Sequence, residues 1–170
     1  VLSFNAAPNF EAPADAGGNN VYDVTVQVAD GNGGTATQAI AVTVTNVNEA
    51  PVITSAAAVS AAENQTAVTT VTSTDVDGGA PTYAISGGAD AALFSIDAVT
   101  GVLTFNTAPN FEVPTDAGGN NVYDVTVEVD DGNGGTATQA IAVTVTNVNE
   151  APVITSAAAV SAAENQTAVT

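Results

Sequence analysis

Residues 122–146 run Val122-Tyr123-Asp124-Val125-Thr126-Val127-Glu128-Val129-Asp130-Asp131-Gly132-Asn133-Gly134-Gly135-Thr136-Ala137-Thr138-Gln139-Ala140-Ile141-Ala142-Val143-Thr144-Val145-Thr146. The first half alternates strictly. Tyr123, Val125, Val127 and Val129 share one face, and Asp124, Thr126, Glu128 and Asp130 share the other, the two-residue period of a half-buried strand. A second apolar–polar run closes the stretch. Between them, Asp131-Gly132-Asn133-Gly134-Gly135 holds residues that tolerate positive φ, so Val122–Val129 and Thr138–Thr146 read as a β-hairpin.

The same grammar extends upstream. Short runs of Val, Thr and Ile are broken by Gly, Asn, Asp and Pro, the pattern of an all-β sandwich. Val52–Thr54 with Ala58–Ser60 reads as a first, split strand, followed by Ala67–Thr74 and Thr82–Ser86. Phe94–Asp97 and Val102–Asn106 come next, separated by a turn at Ala98–Gly101. The alanine-rich stretch Ser55–Ala62 has helical propensity, but propensity alone is a weak guide. The expected core is Val71, Tyr83, Ile85, Phe94, Ile96, Leu103, Phe105, Tyr123, Val125, Val127, Ile141, Val143 and Val145.

Residues 1–69 return as residues 102–170 at an offset of 101, with six differences. A period of that size predicts a tandem array of whole domains. The expected units are the C-terminal part of one repeat (1–49), a complete repeat (50–150) and the start of a third (151–170). The differences test the strand reading from within. Ser3/Thr104, Gln27/Glu128 and Ala29/Asp130 fall on proposed solvent faces, and Ala6/Thr107, Ala12/Val113 and Ala14/Thr115 fall in the loop before Asp116.

The chain carries 18 acidic residues and no Lys, Arg or His, for a net charge of −18. Nothing here can replace phosphate counterions, so nucleic acid is excluded as a partner, and an anionic membrane surface is disfavoured. The charge must be held by solvent, salt or bound metal. Because 45% of residues are hydrophobic and alternate regularly, disorder is not expected. No Cys is present, so each unit must rely on its core or on ions, and a unit of about 100 residues can bury one. No apolar run is long enough to insert into a membrane.

The carboxylates cluster at strand ends and between units: Glu63-Asn64, Asp75-Val76-Asp77, Pro109-Asn110-Phe111-Glu112, Asp131, and the connector Asn147-Val148-Asn149-Glu150-Ala151-Pro152. Carboxylate and amide oxygens are hard ligands of the kind calcium takes. An EF-hand does not fit Asp75-Val76-Asp77, which lacks the later ligands of that loop. A glycosidase carboxylate pair is allowed by residue type, but no cleft or apolar pocket is marked. There is no His or Cys nucleophile system and no phosphate-binding loop, so an enzyme is not expected. Asn64-Gln65-Thr66 and Asn165-Gln166-Thr167 match the N-glycosylation acceptor pattern.

Taken in order, Glu63-Asn64, Asp75-Val76-Asp77, Phe94-Ser95-Ile96-Asp97, Thr100-Gly101-Val102-Leu103, Tyr123 through Asp131 and the connector resemble a cadherin repeat, more narrowly the cadherin-like repeats of large bacterial surface and secreted proteins. The resemblance implies tandem seven-stranded Greek-key β-sandwiches (Ig-like in class) with calcium at each junction. At the junction near residue 48 it implies ligation by Glu11, Asn46, Asn48 and Glu49, carbonyls of Val47 and Ala50, and Asp75, Asp77 and Asp131 of the following unit. Near residue 149 it implies Glu63, Asn110, Glu112, Asn147, Asn149 and Glu150. Asp30 and Glu164 hold the matching places in the partial units. The sequence departs from the family where Asn9 and Asn110 replace the first Asp of Asp-Arg-Glu, Asn46 and Asn147 open the connector in place of Asp, and Glu49 and Glu150 replace its second Asp. About six carboxylates per junction would remain, counting one glutamate upstream of residue 1.

The function expected on this basis is structural: a segment of a long, calcium-stiffened rod or fibre at the cell surface or outside the cell. The partners expected are adjacent repeats of the same protein. The alternatives are a calcium-dependent cell-adhesion module of a surface adhesin, and a filament subunit assembling homotypically by strand exchange.

Overall fold

The computed structural model describes residues 1–165 and Thr167. Residues 21–43 form a hairpin of β1 (Val21–Ala29) and β2 (Thr35–Thr43). Nine strands follow: β3 (Val52–Ile53), β4 (Ala58–Ala62), β5 (Ala67–Thr70), β6 (Ser73–Thr74), β7 (Thr82–Gly87), β8 (Phe94–Ile96), β9 (Val102–Phe105), β10 (Val122–Asp130) and β11 (Thr136–Thr146).

These nine make a two-layer sandwich. One layer has the order β4-β11-β10-β7; the other combines β5-β9-β8 with the short pair β3-β6. The first segment is split, as its sequence predicts. β3 pairs antiparallel with β6 in one layer, and β4 then runs parallel to β11 in the other, with Ala58 opposite Ala142 and Ala62 opposite Thr146. Ala58–Ala62 is therefore strand, and the helical propensity of Ser55–Ala62 is overridden by pairing to β11. The second predicted strand is also interrupted. At Val71 the backbone N–H turns to the carbonyl of Gly101 at 2.8 Å, which separates β5 from β6. Gly101 has φ +70°, and a Cβ there would strike the Val71 carbonyl oxygen, so this turn requires glycine.

The core lies between the layers. Leu103, Tyr123, Val125, Val127, Val129, Ile141, Val143 and Val145 are all fully buried, so β10 and β11 present the face their alternation predicts. Phe94 stacks on Phe105 with ring centroids 4.6 Å apart, and Tyr123 meets Phe105 edge-on at 5.2 Å. Ala61 and Val129 join the expected core, while Ile85 and Ile96 sit half-buried at its margin. None of the six positions that differ between the duplicated segments is buried in this sandwich.

The β1–β2 hairpin repeats the register of β10–β11, with Val21 opposite Thr43 as Val122 is opposite Thr144. Phe4 packs edge-on against Tyr22 at 5.1 Å.

Candidate metal centre

Both ends of the sandwich carry clustered oxygens. At one end, the connector after β2 docks against the turn after β6 and the β10–β11 turn. Carboxylate oxygens of Glu11, Glu49 and Asp77 come within 4.8 Å of one another. The connector is tied to the sandwich by three hydrogen bonds. Asn46 Nδ2 donates to Asp77 Oδ1 at 2.7 Å, the Glu49 N–H donates to Asp77 Oδ2 at 2.8 Å, and Asn48 Nδ2 donates to Asp131 Oδ2 at 2.7 Å. Asp131 is held from its own side by the N–H groups of Asn133 and Gly135. Gly135 sits so close that a Cβ there would meet the Asp131 carboxylate and come within 2.9 Å of Ala50 Cα. Asp75 Oδ1 accepts the Asp77 N–H at 2.8 Å, which shapes the turn that presents both aspartates.

Charge in this cluster is unevenly compensated. The Glu49 N–H, with the Asn46 amide, holds the Asp77 carboxyl below its ordinary value. The Asn48 amide, then the Asn133 N–H, does the same for Asp131. Glu49 goes the other way: local desolvation first, then the nearby charges of Glu11 and Asp77, push its carboxyl up. Two carboxylate oxygens, Oε1 of Glu11 and Oδ2 of Asp75, are shut off from solvent with no hydrogen-bond partner.

At the opposite end, Glu63, Glu112 and Glu150 bring carboxylate oxygens within 4.8 Å of one another. Glu63 is 2% exposed. Its Oε1 accepts the Val148 N–H at 2.8 Å and its Oε2 the Phe111 N–H at 2.9 Å, and these bonds hold its carboxyl below the ordinary range. Asn147 Nδ2 donates to Glu112 Oε1 at 2.6 Å, and Asn64 Nδ2 to Glu150 Oε1 at 2.7 Å. Asn64 stands in the left-handed region at φ +64°, with its amide nitrogen turned to Glu150. In the other acceptor pattern Gln166 lies outside the described residues.

Of the residues expected to ligate, the structure gathers Glu11, Glu49 and Asp77 in one cluster and Glu63, Glu112 and Glu150 in the other, with Asn46, Asn48, Asp75, Asp131 and Asn147 bonded to or beside them. Asn110 is not drawn in; its Oδ1 accepts the Val113 N–H at 2.8 Å and shapes that loop. Among the described residues, Asn149 Nδ2 meets the Glu150 carbonyl at 3.5 Å. Asp30 accepts the N–H groups of Asn32 and Gly34 in the β1–β2 turn, Glu164 is exposed, and both stand outside the two clusters. Val47 is 71% exposed, and Ala50 lies under Gly135.

Two buried carboxylates were not singled out in the sequence. Asp90 receives the N–H groups of Ala117 and Asp124, and Asp116 those of Asn120 and Asn121. Their local signal is Asp preceded or followed by Gly and Ala, which any turn shares. Their task is to satisfy loop backbone.

A split first strand, two facing layers and oxygen-rich ends where connectors dock define a class of modular β-sandwich. The family model for the cadherin domain matches residues 56–149, more than half of the chain, and the chain belongs to the cadherin-domain family. Solved structures share the fold. Drosophila N-cadherin EC1-4 is 20% identical with a TM-score of 0.61, covering 81% of this chain and 36% of that one. Extracellular cadherin domains 1-4 of protocadherin gamma B7 are 23% identical with a TM-score of 0.56, covering 80% and 34%. Mouse cadherin-23 EC22-24 is 23% identical with a TM-score of 0.54, covering 80% and 45%. The chain thus spans between a third and a half of the length of these structures. No curated protein matches it. Among the described residues, no helix is long and apolar enough to cross a membrane.

Proposed function

We propose that this chain is a segment of a long extracellular rod of tandem cadherin-type sandwiches, divided at residues 1–49, 50–150 and 151–170, whose junctions are stiffened by calcium. One observation carries the reading: Glu11 and Glu49, before the sandwich, converge with Asp77, within it, while Glu11 Oε1 and Asp75 Oδ2 are buried without partners. Desolvated carboxylate oxygens of one sign are costly unless a counter-charge reaches them. The donor set is entirely hard oxygen, which fits calcium.

Glu11, Glu49, Asp75, Asp77 and Asp131 would hold ions at the first junction, and Glu63, Glu112 and Glu150 at the second. Bound calcium supplies positive charge that the chain lacks. The residues do the rest. Glu63 fixes the connector backbone through Val148, the Glu49 N–H ties it to Asp77, and Gly135 lets it approach closely.

The test is calorimetric titration of calcium into the chain, paired with small-angle scattering with and without chelator. Saturable binding with a stiffer, more extended profile supports the rod. No binding heat and an unchanged profile would remove it.

A further inference from the structure

Asparagine side chains of the connector after β2 reach across to the sandwich that follows. Asn46 Nδ2 donates to Asp77 Oδ1 at 2.7 Å, and Oε1 of Glu11 is left buried without a partner. Asn48 Nδ2 donates to Asp131 Oδ2 at 2.7 Å.

We infer that the connector asparagines are a cation-independent latch, in which the Asn46 and Asn48 amides dock the connector on the following sandwich through Asp77 and Asp131. This deepens the junction reading above, but the latch itself needs no ion. An amide nitrogen donates to a carboxylate in a charge-assisted bond, with no positive charge required. Aspartate at position 46 could not donate, and it would add a like charge beside Asp77 and Glu49. The amide also carries an acceptor, Oδ1. Half a turn of the terminal torsion exchanges donor for acceptor, so the same side chain that latches the junction can face a cation. Ion binding must first break the latch bonds, so these asparagines lower calcium affinity while keeping the junction closed when calcium is scarce.

The test uses the full 170-residue chain with Asn46→Asp and Asn46→Ala. In chelator, hydrogen exchange at the Glu49 N–H, which bonds Asp77, should quicken by about tenfold or more in both variants; the alanine variant separates donor loss from added repulsion. Asn46 is exposed, so the fold should survive both. In calorimetry, Asn46→Asp should bind calcium at least about threefold more tightly, as ligand charge count predicts. Unchanged exchange in chelator overturns the latch even where calcium binds. Faster exchange in a chain that binds no calcium keeps the latch and removes the calcium reading instead.

Discussion

Glu63 Oε1 accepts the Val148 N–H at 2.8 Å across 85 residues, joining the loop after β4 to the connector after β11. The other oxygen of Glu63 takes the Phe111 N–H, so one buried carboxylate fixes two backbone segments. Replacing it with alanine strands both donors. Glu63→Ala is expected to lower the melting temperature by at least about 5 °C in chelator, before any ion is considered. Equal melting curves would show these bonds are replaced by water.

Leu103 is fully buried between the two layers. Leu103→Ala should cost about 2–5 kcal/mol in the unfolding of the sandwich. Denaturant titration of the variant reads the loss directly.

Gly101→Ala should destabilise by more than about 1 kcal/mol, because the positive φ and the Val71 carbonyl both oppose a side chain. Denaturant midpoints check it.

Glu49 predicts opposite signs in two conditions. Its carboxyl is raised by local desolvation and by Glu11 and Asp77, so its charge works against the ion-free fold. Glu49→Gln should melt higher than the parent in chelator and gain less from added calcium. A lower melting temperature in chelator would refute the repulsion.

Acid stability follows from carboxylates held low by N–H and amide donors, Glu63, Asp77 and Asp131 at the two ends and Asp97 and Asp116 away from them. The Thr100 N–H leads in holding Asp97 low. For Asp116 burial acts upward, but the N–H groups of Asn120 and Asn121 outweigh it. Both folded values lie below the ordinary 3.8, so their contribution is full above that pH and is lost as pH falls through the folded values. Glu49 runs the other way: its raised value means stability is gained as pH falls through that value toward 4.5. In chelator the melting temperature should therefore rise on mild acidification from neutrality and collapse below about 3.8. Asp97→Asn should narrow its deficit against the parent in the acid limb.

Most of the fold was legible because its signals are local. The valine period of residues 122–129 and the Gly-Asn turn at 131–135 fix the strand pair without reference to anything distant. The break between β5 and β6 was not legible, since Val71 is diverted by Gly101, thirty residues away. Asp90 was missed for the same reason: its partners, the N–H groups of Ala117 and Asp124, belong to other segments. In the site, residue type and order marked the glutamates and Asp77. What the sequence did not mark is that the Asn46 and Asn48 amides donate to Asp77 and Asp131, which lie 31 and 83 residues away.

The parallel pairing of β4 with β11 decides how the sandwich bears load. The chain enters through the two-residue β3 and leaves from the end of β11, so once the short β3–β6 pair yields, a pull on the two ends slides β4 and β11 past one another. All five paired positions, Ala58–Ala142 through Ala62–Thr146, then resist together instead of unzipping one at a time. Rupture under tension is set by the unfolding rate, and this geometry places the five-residue β4–β11 ladder on the line of force.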